Sequence, residues 1–286
     1  MPQRMILSYH PFFHGHRFRL CAGREPDDKD RELMRRASAV LLPPGRLPAL
    51  YVLATRSCGL VFPNYASRYA YPGKIGDIHL FQKLNLPYPA TDCFASLTQC
   101  PENYWSQISY PVIIKHSAGG EGRMVFVVHG PQEARDVLSN FRGMERSGLY
   151  GFLVQELVPA EQRTLRVVIM HTRVYSYWRI QPDKNKVVHN LAQGGRIDHT
   201  SDPGLRAQGE EVVRELSQQT GINLAGIDVL FDYRNGRDPK PLLLEINYFF
   251  AMHGLGGLEA YNQKLKLAVR EWLLKNDLPL PGKDFG

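Results

Sequence analysis

The sequence predicts an α/β unit followed by antiparallel α+β structure. Over the first seventy residues, short apolar strands alternate with helices. From Pro111 the pattern changes to strand, glycine-rich turn and strand, and long strands separated by helices then fill the second half. At 286 residues the chain is expected to form two or three compact units.

Met5 to Tyr9 reads as a short apolar strand and Asp28 to Arg36 as a charged helix. Ala39 to Leu42 is a second buried strand, closed by Pro43 and Pro44. Leu47 to Arg56 has helical spacing, and Gly59 ends it before a strand at Leu60 to Phe62. This alternation implies a parallel sheet. A turn-rich stretch, Pro63 to Gly73, leads into a helix from Lys74 to Leu84 with Ile75, Ile78 and Phe81 on one face and Asn85 as its stop. Strands follow at Val112 to Lys115 and Met124 to Val128. Pro131 opens a helix to Asn140, because its fixed φ suits a first helical position. Phe152 to Glu156 is a strand, and Leu165 to Met170 turns back into Val174 to Ile180. Asp202-Pro203 starts a helix that Gly221 ends. Ile227 to Phe231 and Leu242 to Ile246 read as buried strands. The last helix, Leu258 to Leu274, repeats apolar residues at Leu258, Tyr261, Leu265, Val269 and Trp272.

Composition narrows the function classes. The 35 Lys+Arg and 28 Asp+Glu give a net charge of +7, which admits either nucleic acid or a smaller anionic ligand. The positive residues are scattered and, near the N-terminus, interleaved with acids, which argues against a nucleic-acid face. No apolar run approaches a membrane span, and no signal peptide is expected. Cys21, Cys58, Cys93 and Cys100 lack metal spacing and read as reduced thiols of a cytoplasmic protein. His10, His14 and His16 have no acidic or cysteine partner nearby and read as loop histidines near the ligand cleft rather than a metal site.

Three clusters carry chemistry. In the first, Lys115 ends an apolar strand and is followed by a small-residue turn, Ser117 to Gly122, that includes Gly119 and Gly120. Glycines let backbone N–H groups turn toward phosphate oxygens, and the lysine adds a point charge. A plain glycine-rich hairpin with a solvent-facing lysine has the same sequence. In the second, Asp228 lies within an apolar strand, while Glu245 and Asn247 alternate along the next and so share a face. Such oxygen ligands suit Mg²⁺, and a structural pair with a buried arginine is the alternative. The third runs from Val154 to Pro159, where a strand ends in a turn whose backbone can pair with a purine edge, with Glu161 just beyond. Arg166 and Arg179 follow on facing strands, then Asn190 before Gly194 and Gly195; paired arginines can clamp carboxylate or phosphate.

The order of these motifs resembles the ATP-grasp superfamily, in particular its branch of ribosomal-protein glutamate ligases and amino-acid ligases. The resemblance runs from about Lys74 to Glu259 and takes in Lys74-Ile-Gly-Asp77, Leu86 to Thr91, the Lys115 glycine turn, Gln155 to Val158, Leu165-Arg166, Asn190 to Gly195, Ala225 to Asp228 and Leu244 to Asn247. It implies an ATP-grasp fold, two α+β lobes enclosing ATP, preceded by a small α/β domain. The implied division is 1–72, 73–150 and 151–286.

By the same resemblance the chain is an ADP-forming carboxylate–amine ligase working through an acylphosphate. Lys74 and Lys115 would hold the α- and β-phosphates under the loop of Ser117, Gly119, Gly120 and Gly122. Glu156 with the backbone of Leu157 and Val158 would hold adenine, and Glu161 the ribose. Asp228, Glu245 and Asn247 would hold two Mg²⁺ ions, with Mn²⁺ as a substitute, and Arg166, Arg179 and Asn190 would stabilise developing charge. The implied partners are a small-molecule carboxylate, either amino acid or peptide, and an amine acceptor, without nucleic acid or membrane; a homo-oligomer is compatible. A metabolite kinase and a non-catalytic nucleotide-binding regulator are the alternatives. Two departures from the family pattern stand out. Thr164 replaces the usual acidic residue, and Tyr248 to Gly254 is bulky and aromatic beside the acceptor site, which speaks against glutamate as substrate.

Overall fold

The computed structural model describes residues 4–44, 48–118, 123–183, 189, 194–234, 236 and 238–282. The chain begins with β1 (Ile6–Ser8), β2 (Arg17–Phe18), α1 (Asp28–Arg36), β3 (Ala39–Leu41), α2 (Pro48–Ser57) and β4 (Val61–Phe62). These four strands pair only in parallel, in the order β2-β1-β3-β4, as the strand–helix alternation predicts. Asp27 starts α1 through a capping box: its carboxylate accepts from Asp30 N–H, and the Asp30 carboxylate accepts in return from Asp27 N–H.

Next come α3 (Ala66–Ala70), α4 (Gly73–Lys83), β5 (Thr91–Phe94), α5 (Tyr104–Gln107), β6 (Val112–His116), β7 (Val125–Val128), α6 (Pro131–Arg146) and β8 (Phe152–Glu156). The four strands form an antiparallel sheet, β5-β8-β6-β7, with α6 covering its outer face. Because β8 lies between β5 and β6, it belongs to the first lobe. The sequence division at 150/151 is therefore corrected: the crossing between lobes falls at residues 157–162.

The second lobe contains β9 (Arg163–Met170), β10 (Arg173–Ile180), β11 (Arg196–Asp198), α7 (Pro203–Thr220), β12 (Leu224–Asp232), β13 (Lys240–Asn247) and α8 (Gly257–Lys275). Its antiparallel sheet runs β11-β10-β9-β12-β13. One face carries Leu165, Val167, Ile169, Ile227 and Val229 against α7 and α4. So α4, which precedes the first-lobe strands in sequence, packs its Ile78, Leu80 and Phe81 into the second-lobe core. The other face lines a cleft at one end and meets α8 at the other.

Helix α8 fills the space between the N-terminal sheet (Ile6, Ala39, Leu41) and the second-lobe sheet (Val168, Met170, Leu224). Tyr261, Leu265, Val269 and Trp272 are buried there, as their spacing predicts. Leu258 departs from that reading and is 52% exposed.

Three strands were absent from the sequence reading: β2, β5 and β11. Each is short and polar and sits at a sheet edge, so its pairing comes from the neighbouring strand rather than from its own apolar pattern. Helix α3 lies inside the stretch read as turns, and α6 continues past Asn140 because Phe141 extends its buried stripe. All four cysteines are free thiols. Among the described residues, no helix is long and apolar enough to cross a membrane. His10 is buried and stacked on Phe13, and His16 Nδ1 accepts from Ile6 N–H; both belong to the N-terminal unit rather than to the cleft expected for them.

The placement of α8 makes a direct prediction. Leu265→Ala should destabilise the protein by about 2–5 kcal/mol in urea unfolding, because it opens a cavity between two sheets. Leu274→Ala, at a 52% exposed position, should cost less than about 0.5 kcal/mol.

Candidate active site

The cleft-facing side of the second-lobe sheet brings its charged residues into register. Tyr177 on β10 stands opposite Arg166 on β9, Arg166 opposite Asp228 on β12, and Asp228 opposite Glu245 on β13. A second row adds Arg179 opposite Thr164, and Asn247 opposite Gly226. Strand alternation keeps all of these on one face.

Asp228 is the centre of this row. Arg166 donates to it through two nitrogens, Nε to Oδ1 at 2.5 Å and Nη2 to Oδ2 at 3.1 Å, and Arg179 Nη2 lies 2.7 Å from Oδ1. Burial opposes the charge on Asp228, yet the two guanidiniums more than offset it and hold the carboxyl below its ordinary value. Asn247 Nδ2 lies 3.5 Å from Oδ2. Arg166 reaches this position by lying over Gly226, where an added Cβ would come within 2.9 Å of Nη1 and within 3.2 Å of Phe250 Cβ.

An irregularity shapes the edge of the row. The β12–β13 register shifts so that Val229 pairs with Leu243 and Leu244 is the extra residue. Leu244 and Glu245 therefore both line the cleft, while Leu243 is buried on the opposite face. Behind them, Asp77 of α4 accepts from Ile246 N–H at 3.0 Å. Burial, with a further push from Glu245, raises the Asp77 carboxyl well above the usual carboxylate range.

The first lobe contributes the facing wall. Lys115 on β6 shares a sheet face with Ile113, Val125 and Val127, and its Nζ donates to Gln155 Oε1 at 2.6 Å. Gln155 is held in turn by donating to Thr91 Oγ1 at 2.8 Å. Burial lowers the Lys115 ammonium to about 8. Lys74, in the first turn of α4, has its Nζ 3.8 Å from Glu245 Oε1. Lys74, Lys115, Arg166 and Arg179 thus face Asp228 and Glu245 in one cleft of about 1720 Å³, a balance suited to a polyanion.

The remaining sequence candidates divide. Leu157, Val158 and Glu161 line the cleft, and Arg163 Nη2 donates to the Glu161 carboxylate at 3.0 Å. Ser117 sits between Gly73 and Gly151 and donates its N–H to Gly151 O at 2.9 Å. Gly119, Gly120, Gly122 and Asn190 lie outside the described residues. Glu156 requires a correction. It alternates onto the α6 side of β8, where its carboxylate accepts from Ala90 N–H and pairs with Arg234 at 2.7 Å, so only its backbone is left for a ligand.

Sequence reasoning did not single out Gln155, Asp77, Tyr177 or His189. Tyr177 is fixed by Gly254, where an added Cβ would lie 2.1 Å from the ring. His189 lines the cleft near Arg179, and burial lowers its imidazole to about 4. The only signal for Gln155 was its period-2 offset within β8, which gains meaning once β6 is known to be the neighbour.

Residues 74–269 match the model of the RimK-like ATP-grasp domain. The chain belongs to this family. Among curated relatives, a "Probable alpha-L-glutamate ligase" of Pectobacterium carotovorum is 29% identical over 52% of this chain and 45% of that protein. One of the same name from Picosynechococcus is 25% identical over 72% of this chain and 64% of the relative. The chain therefore spans about half to two-thirds of the length of the curated relatives it matches. Solved structures support the ATP-grasp fold. A RimK domain protein from Sphaerobacter thermophilus gives a TM-score of 0.54 at 15% identity, over 83% of this chain and 81% of that one. An L-amino acid ligase from Bacillus licheniformis gives 0.56 at 13% identity, over 85% and 62%.

Within this ATP-grasp cleft, the buried Lys115 has a measurable consequence. Its folded value lies below the ordinary 10.5, so between pH 8 and 10.5 the unfolded chain binds more protons at this site and stability rises with pH. The stability of the wild type relative to Lys115→Met should therefore climb across that window, by an amount on the order of 1–3 kcal/mol. A flat difference in denaturant unfolding would contradict the burial of the ammonium.

Proposed function

We propose that the protein is an ATP-dependent carboxylate–amine ligase that acts on an amino acid or peptide and releases ADP and phosphate. The observation that carries this reading is the convergence of Lys74 and Lys115 with the Arg166–Asp228–Glu245 row on one cleft. Phosphoryl transfer to a carboxylate needs charge neutralisation and positioning rather than a protein nucleophile, and these residue types supply both.

In this reading the apolar wall of Val125, Val127, Leu157 and Val158 takes the adenine, with backbone groups at residues 156–158 reading its edge. Glu161 accepts from the ribose. Lys115, held by Gln155, and Lys74, beside Glu245, bind the phosphates. Glu245 and Asn247 offer hard oxygen atoms that suit Mg²⁺, and Asp228, paired here with Arg166 and Arg179, would complete the set that holds it. Mg²⁺ held with the triphosphate supplies neutralisation of the β- and γ-phosphate charge, and two ions or Mn²⁺ fit the same donors. Arg166 and Arg179 line the same cleft. The substrate carboxylate attacks the γ-phosphorus and ADP leaves; an amine then attacks the acylphosphate carbonyl, phosphate leaves, and an amide forms. Arg166 and Arg179 stabilise the negative charge on the transferring phosphoryl and on the tetrahedral adduct.

The glutamate-ligase relatives and the L-amino acid ligase neighbour support the reaction class. Purified protein incubated with ATP, Mg²⁺ and amino-acid mixtures should release ADP and yield an amide of matching mass. EDTA should abolish turnover, and Glu245→Gln should lower it at least about 100-fold through lost charge stabilisation. Full activity in Glu245→Gln would remove Glu245 from the site, and ADP release without amide would favour a kinase.

A further inference from the structure

Beyond the charged row, the far end of the cleft changes character. It is lined by Tyr177 and by the segment from Phe249 to Leu258. That segment contains no Lys, Arg, Asp or Glu; His253 is its one titratable side chain. Phe249 is 55% and Leu258 52% exposed, so large apolar surface reaches solvent beside the charged row. The walls are fixed. Gly254 backs the Tyr177 ring, and Phe250 packs edge-on against Tyr261 with centroids 6.0 Å apart.

The position of this surface says which substrate it meets. Phe250 and Arg166 both lie over Gly226, so the apolar wall begins beside a guanidinium that suits a carboxylate. The family resemblance sets this stretch beside the acceptor site, and its junction with Arg166 also brings it next to a donor carboxylate held there. A donor with an acidic side chain would have to place a second negative charge along Phe249 to Leu258, where, among the described residues beyond Arg166, the lining offers no lysine or arginine, which is unfavourable. A bulky apolar side chain would instead cover Phe249, Leu258 and the exposed part of Met252 beside the buried Phe250, gaining about 25 cal/mol for each Å² removed from water.

We propose that the carboxylate donor is an amino acid or peptide whose carboxyl-bearing residue has a bulky apolar side chain, seated on Phe249, Phe250, Met252 and Leu258. This rests on the ligase reading above and specifies its substrate class.

The test uses the full-length protein with ATP, Mg²⁺ and hydroxylamine as the amine, and measures hydroxamate formed from one donor at a time. The donors are leucine, methionine, phenylalanine, glutamate and lysine, each free and N-acetylated. The expected result is a kcat/KM at least about tenfold higher for the apolar donors than for glutamate or lysine, the discrimination a hydrophobic pocket can supply. Phe249→Lys, at a position exposed enough to leave the fold intact, should reduce leucine kcat/KM at least about tenfold and narrow the leucine-to-glutamate ratio, with Tm unchanged. A preference for glutamate in the wild type overturns the apolar subsite while leaving the ligase reading in place. An unchanged ratio in Phe249→Lys overturns the placement of the side chain. Hydroxamate from none of the donors overturns the ligase reading and the subsite with it.

Discussion

The buried carboxylate of Asp228 is the constraint on which the cleft depends. It lies on a strand buried along its whole length, and without cations its charge would be strongly disfavoured there. Arg166 and Arg179 supply them, and those contacts tie β12 to β9 and β10 at the centre of the sheet. Removing one partner of such a set typically costs about 3–5 kcal/mol, because a charge is stranded in a dry place. The glycines follow from the same demand: Gly226 is the surface over which Arg166 lies, and Gly254 leaves room for Tyr177 beside it. In the proposed reaction this triad has a second use. Asp228 would hold Mg²⁺ with Glu245 and Asn247, and Arg166 and Arg179 line the same cleft, where they face incoming negative charge.

The division of the cleft follows from sheet alternation. On the first lobe, one face of β6 and β8 carries Lys115, Leu153 and Gln155, and the other packs Ile114, Phe152 and Val154 against α6. On the second lobe, Thr164 and Arg166 of β9 face the cleft, Val168 and Met170 on the same side pack against α8, and Leu165, Val167 and Ile169 face α7. Lys74 and Asp77 join through α4, whose apolar face is anchored in the second-lobe core. Lys74, Lys115, Arg166 and Arg179 are therefore mounted on two sheets and one helix, while the apolar end is carried by the segment between β13 and the start of α8.

Much of this was legible in the residues. Asp228 inside an apolar strand, Glu245 and Asn247 two apart, and a lysine before a glycine turn all use local periodicity. What escaped was set by pairing between distant segments. Glu156 looked like a ligand until β8 was found between β5 and β6, which turns its carboxylate toward Ala90 and Arg234. The extra residue at Leu244 arises from mismatch with β12, and nothing in Leu242-Leu243-Leu244 marks it. Asp77 resembles an ordinary residue of an amphipathic helix, yet it serves the backbone of Ile246, 169 positions away. The edge strands β2, β5 and β11 failed for the same reason, since an edge inherits its order from the strand beside it.

The proposed reaction requires a substrate carboxylate, not water, to attack the γ-phosphate within this cleft. It is tested most directly by supplying the donor amino acid with ¹⁸O in its carboxyl group and measuring the isotope in the phosphate released as amide forms. One ¹⁸O atom is expected in each phosphate, carried over when the amine cleaves the acylphosphate at carbon. Amide formation accompanied by unlabelled phosphate would contradict it.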